Sequence, residues 1–268
     1  MWFNNIFYFA ITITMRKRSA TWNLEELDEC WKTKLLSNNF YIKECIGDGN
    51  CQFRSIETAL KTAGFKLKHT KLRNLIARYI RQITDQEFHM IVQSYRLEKD
   101  NGEFEGGWDP YQISDKKDFI KEVSKPGFHF QGDYVTLSLL SRAIKVDFIL
   151  FTSDYNVIDI STDNKNQYII LLFYDKLKRH YKTIGIKDSD LSIVSFFDRN
   201  NLPSELMLIL NKHDHIQKHV NYICNSLTTL KLNSIIQSVE KNLKCDLLPQ
   251  DKTYCLKAVK NYIDSKAI

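Results

Sequence analysis

The stretch IGDGNCQFRSIETAL, Ile46 to Leu60, sets one cysteine between an acidic, glycine-rich turn and an apolar periodic segment. Cys51 thus follows a turn and opens a predicted helix. Orphan N–H groups and the positive end of the helix dipole stabilise a thiolate there. The same N–H groups can hold the oxyanion of a tetrahedral intermediate. A nucleophilic cysteine also needs a base, usually histidine. Of the seven histidines, His69 and His89 fall in predicted helices, His129 in a loop, and His213, His215 and His219 on a C-terminal helix. His180 opens a short strand directly after an apolar strand, a rigid place for a base. Spacing makes His180 the best-placed base for Cys51 but does not decide the pairing, and leaves open the alternative that Cys51 is a small buried thiol.

The elements that must position this pair are legible as periodicities. Leu24, Leu27, Trp31 and Leu35 predict a helix over 21–37, with Asn23 near its start. FYIKECI reads as a short extended lead-in and GDGN as a turn. A helix is predicted from Cys51 to about Ala63, stopped at Gly64. A second runs over 68–83 with Leu72, Leu75, Ile76, Tyr79, Ile80 and Ile83 as its stripe, and residues 84–98 continue helical. Residues 99–115 form a loop and KKDFIKEVSKPG a short helix. GDYVTLSLLSRAI is a helix opened by Asp133. Four strands follow: KVDFILFT, YNVIDIST, QYIILLFY and HYKTIGI, the last two a hairpin with a somewhat long loop. Helices first and strands after point to an α+β fold with a mainly antiparallel or mixed sheet. From about Asp190 the pattern turns helical. The expected division is an N-terminal extension at 1–20, a catalytic domain at 21–189 and a helical extension at 190–268.

Composition narrows the function classes. With 43% hydrophobic and 26% charged residues the chain of 268 can build a core without disulfides. The net charge of +6 is mild and its basic residues are scattered, so nucleic-acid binding is not expected. None of the six cysteines shows C-x-x-C spacing, which speaks against a zinc ribbon or thioredoxin-type site and for a reducing compartment. MWFNNIFYFAITIT is apolar, but its positive charges follow it, unlike a signal peptide. It is also short of the ~20 residues of a membrane helix. It reads as a poorly ordered extension, a short anchor, or, preferred, residues upstream of a true start at Met15. No membrane partner is expected unless residues 1–14 anchor the chain. His215 and His219 have metal-ligand spacing, but no glutamate stands at the zincin position, so no metal is expected.

GDGNCQFRSI closely resembles the Asp-Gly-Asn-Cys-Leu-Phe-Arg-Ala signature of the ovarian tumour (OTU) family of cysteine deubiquitinases. YIILLFYDKLKRHYKTIGI resembles that family's apolar strand followed by His-Tyr. GDYVTLSLLSRAIKVDFILF resembles the block between them. The three occur in family order across roughly residues 36–187. Known members include proteins of large DNA viruses with A/T-rich genomes, in keeping with the Lys-, Asn- and Ile-rich composition. The resemblance implies a papain-type cysteine protease fold, a small sheet flanked by helices. It also implies a cytosolic enzyme (in the host cell, if viral) without cofactor that hydrolyses the bond at the ubiquitin C-terminus through a thioester. Its partners would be ubiquitin or polyubiquitin-conjugated proteins.

The resemblance makes Cys51 the nucleophile, His180 the general base and Asp48 the acidic residue that shapes the oxyanion loop of Gly49, Asn50 and Cys51. It makes Arg54 structural, paired with a carboxylate beneath the site. The ubiquitin tail is Arg-rich, so Glu103, Glu105, Trp108 and Asp109 of EFEGGWD are candidate substrate contacts, against the plain reading of a solvated loop. Two positions depart from the pattern. Gln131 stands where the family often has Trp. Lys182 stands where members carry the Asn or Asp that orients the histidine, and a lysine only donates. Another group orients His180, or Asp48 is recruited, or the chain is a weak or inactive ubiquitin-binding module.

Overall fold

The computed structural model describes residues 24–35, 37–162, 165–187 and 193–211. The readings of the N-terminal run, of His213, His215 and His219, and of the C-terminal helices beyond 211 lie outside these residues. The chain divides into two compact units, Met1–Leu202 and Pro203–Ile268. In the second, residues 204–211 are helical. Among the described residues no helix is long and apolar enough to cross a membrane.

The first unit is α+β. Its strands are β1 (Leu24–Glu26), β2 (Phe40–Lys43), β3 (Val146–Thr152), β4 (Val157–Ile160), β5 (Tyr168–Asp175), β6 (His180–Lys187), β7 (Ile193–Val194) and β8 (Phe196–Asp198). They form a mixed sheet of order β1-β2-β6-β5-β3-β4, with β7 on β6 and β8 on β5. Its helices are α1 (Glu29–Leu35), α2 (Cys51–Thr62), α3 (His69–Ile80), α4 (Asp85–Asp100), α5 (Lys116–Ser124) and α6 (Tyr134–Ile144). β3 and β5 pair in parallel, and every residue of β3 is buried. The apolar FILF run within VDFILFT suits a strand covered on both faces, and the buried Asp147 is paired with Arg199. Phe148 and Leu150 join the core that includes Phe53, Ile56 and Leu140. On alternate positions Phe151 meets Trp31 edge-on at 5.3 Å. Thus α2 and α6 contribute to one face of the sheet, and α1 to the other.

Two expectations need correction and one is refined. Residues 24–26 are a strand on β2, and the helix begins only at Glu29. Asp28 caps it, accepting from the Trp31 N–H at 2.8 Å, so Leu27, Trp31 and Leu35 keep the predicted buried stripe while Leu24 leaves it. Residues 85–98 are helical as expected, in a helix of their own. Thr84 accepts from the Glu87 N–H and caps this helix, α4. Finally, two strands precede the helix expected after Asp190. β7 and β8 pair with β6 and β5 where that hairpin splays, and the Leu171 N–H donates to Ser195 O at 3.2 Å.

Candidate active site

The turn ahead of α2 is fixed by contacts of its own residues. Gly49 has φ +76°, and a Cβ there would lie 2.3 Å from the backbone carbon of Gly127. Only glycine fits both demands. Asp48 accepts three hydrogen bonds from the Arg54 guanidinium, the shortest 2.6 Å, and one from the Asn50 N–H. Arg54 and the turn draw the Asp48 carboxyl far below the usual range, against the opposing effect of burial. Asn50 occupies the helix N-cap position but does not cap with its side chain. Its Oδ1 instead accepts from Arg73 Nη2 at 2.8 Å and the Gly127 N–H at 3.0 Å. Arg73 is buried, lies 4.1 Å over the Phe53 ring, and donates further to Val123 O and Phe130 O. Burial lowers Arg73 to about 10, still charged at neutral pH.

Cys51 is the first residue of α2, so its N–H has no intrahelical partner. Only 7% of the residue is exposed. Burial pushes its thiol above the ordinary value, partly offset by the backbone of Tyr181 and Gln52. The thiol is therefore protonated at neutral pH until a base takes its proton. Gln52 is fully buried beside it and ties α2 to the start of α6, donating to Asp133 O at 2.8 Å and accepting from Thr136 Oγ1 at 2.9 Å. A Cβ on Gly132 would come 2.1 Å from Gln52 Oε1, which gives the Gly132–Asp133 pair its physical reason.

His180 opens β6 opposite Asp175, after a turn in which Arg179 has φ +52°. Its Nε2 lies 2.7 Å from Glu44 Oε1 and 3.7 Å from Cys45 Sγ. A carboxylate only accepts, so Nε2 carries the hydrogen in this contact, and in the neutral ring the lone pair falls on Nδ1. The ring borders the turn: a Cβ on Gly47 would lie 3.8 Å from Cε1 and 3.9 Å from Nδ1. Among the described residues no hydrogen bond joins His180 to the Cys51 thiol or to Asp48. Asp48 is engaged by Arg54 instead.

The other candidates separate. Glu105 pairs with Arg179, the residue before His180. Trp108 stacks on Phe130 at 5.6 Å and meets Tyr95 and Phe104 edge-on, so its ring serves the core. Asp109 accepts from Lys99 Nζ at 2.8 Å and from the Tyr111 N–H. Glu103 is held through its backbone, its N–H donating to Glu98 O. Sequence reasoning missed Glu44, Cys45, Gln52 and Arg73. Cys45 was only one of six cysteines, yet its thiol donates to Tyr181 O at 2.9 Å. Burial lifts that thiol to about 12. Among the described residues no cluster of three or more His, Cys, Asp or Glu could hold a metal.

A thiol on a helix N-terminus behind a pinned turn, with an imidazole bordering that turn, is compatible with thiol-protease chemistry. The model of a family described as OTU-like cysteine protease matches residues 46–182, just over half the chain. "Putative ubiquitin thioesterase 232R" of Invertebrate iridescent virus 3 is 29% identical over 153 residues, 55% of this chain and 16% of that protein. "Putative ubiquitin thioesterase L96" of Tipula iridescent virus is 32% identical over 143 residues, 52% of this chain and 15% of that protein. The chain thus spans about a sixth of the length of these relatives. Among solved structures, an OTU domain in complex with ubiquitin is similar with TM-score 0.45 and 15% identity, covering 62% of this chain and 78% of that one. The viral OTU domain protease from Dera Ghazi Khan virus gives TM-score 0.39 and 18% identity, covering 56% and 82%. The family match takes in the turn, Cys51, His180 and the strands between them, and the chain belongs to the OTU-like cysteine protease family.

Proposed function

We propose that this chain is a deubiquitinase, a cysteine-dependent isopeptidase acting at the ubiquitin C-terminus. The observation that carries the reading is the placement of Cys51, first on α2 behind a turn held by Asp48–Arg54 and Asn50–Arg73, with His180 bordering that turn. Relatives named as ubiquitin thioesterases support the substrate class. In this reading His180 Nδ1 takes the Cys51 proton and the thiolate attacks the carbonyl of the terminal glycine. The oxyanion lies against the Cys51 N–H and the turn of Gly49 and Asn50. His180 then returns the proton to the departing lysine amine, leaving a thioester. Water, deprotonated by His180, attacks it and regenerates the thiol. No step calls for a metal or cofactor. Asp48 acts through the turn rather than on the substrate. Of the acidic loop, Glu105 is the best-placed candidate for the ubiquitin tail, beside Arg179; Glu103, Trp108 and Asp109 remain weaker ones.

The catalytic domain is the expected 21–189 completed by β7 and β8, residues 190–268 otherwise forming a separate extension. The site of action is the cytosol, that of a host cell if the chain is viral. Its partners are ubiquitin and ubiquitin-conjugated proteins. A ubiquitin probe with a C-terminal electrophile tests the reading: it should label the wild type and fail to label Cys51→Ala and His180→Ala. A second reading, a ubiquitin-binding module without catalysis, is favoured by the lack of a Cys51–His180 hydrogen bond. It expects binding of ubiquitin without labelling.

A further inference from the structure

We propose that Glu44 is the positioning residue for His180, supplied from the end of β2, and that Lys182 is the residue that holds Glu44 in place. This rests on the deubiquitinase reading for its rate consequences, but not for its geometry.

Register brings the three groups together. Lys43 pairs with Thr183 across the antiparallel β2–β6 ladder, so the next residue, Glu44, lies opposite Lys182. His180 and Lys182 are two apart on β6 and share a face. The two carboxylate oxygens of Glu44 are divided between them. Oε1 accepts from His180 Nε2 at 2.7 Å, and Oε2 accepts from Lys182 Nζ at 2.6 Å. A carboxylate tied at both oxygens cannot rotate away from the imidazole.

Lys182 is no loose surface charge. It is 6% exposed, and a buried ammonium is strongly disfavoured unless paired. Glu25 of β1 supplies a second, longer contact at 3.3 Å. The pair offers the imidazole a carboxylate already partnered by a cation. The lysine at this position therefore does not remove the acceptor but relocates it: the side chain that cannot accept from histidine holds one that can. Cys45 Sγ, 3.7 Å from Nε2, is a weak acceptor by comparison and its own hydrogen points to Tyr181 O. With Nε2–H held by Glu44, the lone pair of Nδ1 is left on the side of the Cys51 turn, the tautomer a general base requires.

The test uses the full chain and four variants: Glu44→Ala, Glu44→Gln, Lys182→Asn and the double Glu44→Ala/Lys182→Asn. Turnover is read with ubiquitin carrying a fluorogenic amide at its C-terminus. The imidazole tautomer is read by 15N NMR of histidine-labelled protein, with His180→Ala assigning the signal. Glu44→Ala should lower kcat by ~10- to 100-fold with little change in KM, as loss of an orienting partner does, and should lose the pure Nε2–H signature. Glu44→Gln keeps an acceptor oxygen, should hold that signature and should stay within ~10-fold of wild type. Asparagine at 182 restores an acceptor two residues after the histidine, so the double variant should recover both kcat and tautomer relative to Glu44→Ala. A Glu44→Ala protein with wild-type kcat and tautomer overturns the proposal. So does a double variant with no recovery in either readout when Glu44→Gln also behaves like Glu44→Ala. If the wild type turns over no ubiquitin substrate, the deubiquitinase reading fails separately. The tautomer in Glu44→Ala then decides the positioning claim alone, its loss supporting the claim and its retention overturning it.

Discussion

The two halves of the candidate site are built differently. The nucleophile half is one short segment whose residues face one another: Asp48 with Arg54 and Asn50, and Gly49 turning the backbone into Cys51. Arg73 and Gly127 then lock it from outside through Asn50. The histidine half has no such motif. His180 is set by a hairpin, and its contacts come from Glu44 and Cys45 at the end of β2, more than 130 residues earlier. A motif can encode the first because its partners are close in sequence. The second is a property of strand register, and a departure such as Lys182 can be absorbed by a residue from another strand.

The largest expected effect probes the tightness of the nucleophile half. Gly49→Ala combines a strained φ, on the order of 1–3 kcal/mol by itself, with overlap on the Gly127 backbone. Thermal or urea unfolding should show a loss of ~3 kcal/mol or more. Near-wild-type stability would break the claim that this turn is pinned.

His180→Ala sharpens the contrast from the other side. Burial raises the Cys51 thiol, so without its base the thiolate fraction at neutral pH is small. Alkylation of Cys51 by iodoacetamide at pH 7 should slow by about tenfold or more and recover as pH rises. An unchanged rate would mean that the helix terminus alone activates the thiol.

Asp48→Asn has a smaller effect with a defined sign. The folded-state carboxyl titrates below its ordinary value because Arg54 bonds it. Its contribution is therefore complete above about pH 4 and lost as pH falls through the folded value. The pair is about a third exposed, so at neutral pH wild type should exceed the variant by only about 1 kcal/mol. That advantage should shrink on acidification. A gap that grows below pH 4 would contradict the assignment.

The smallest effect is expected at Cys45. Its thiol stays protonated up to about 12 and supplies no charge. Cys45→Ser should leave probe labelling within about twofold of wild type. Complete loss of labelling would make the two halves share a nucleophile.

Much of this was legible from sequence, where partners are near one another. The turn, the start of α2 at Cys51, the Gly64 stop, the Asp133 cap of α6 and the hairpin carrying His180 all rest on local chemistry. The boundary of α1 was misplaced because Leu24 fits a helical stripe as well as a strand, and only pairing with β2 decides. β7 and β8 were missed because strands of two and three residues carry too little pattern to stand out. Trp108 read as a surface aromatic because nothing local announces that Tyr95, Phe104, Phe119 and Phe130 converge on it.

By itself, then, the sequence determined which residue opens the helix, which turn precedes it, and which histidine lies on a rigid strand. Those follow from backbone propensities and side-chain chemistry within a few residues. Tertiary structure alone decided that β3 and β5 run parallel, that Asn50 meets Arg73, and that Glu44 lies between His180 and Lys182. Each depends on which strands and helices become neighbours and in what register, and a one-residue slip would turn Glu44 to the other face of the sheet.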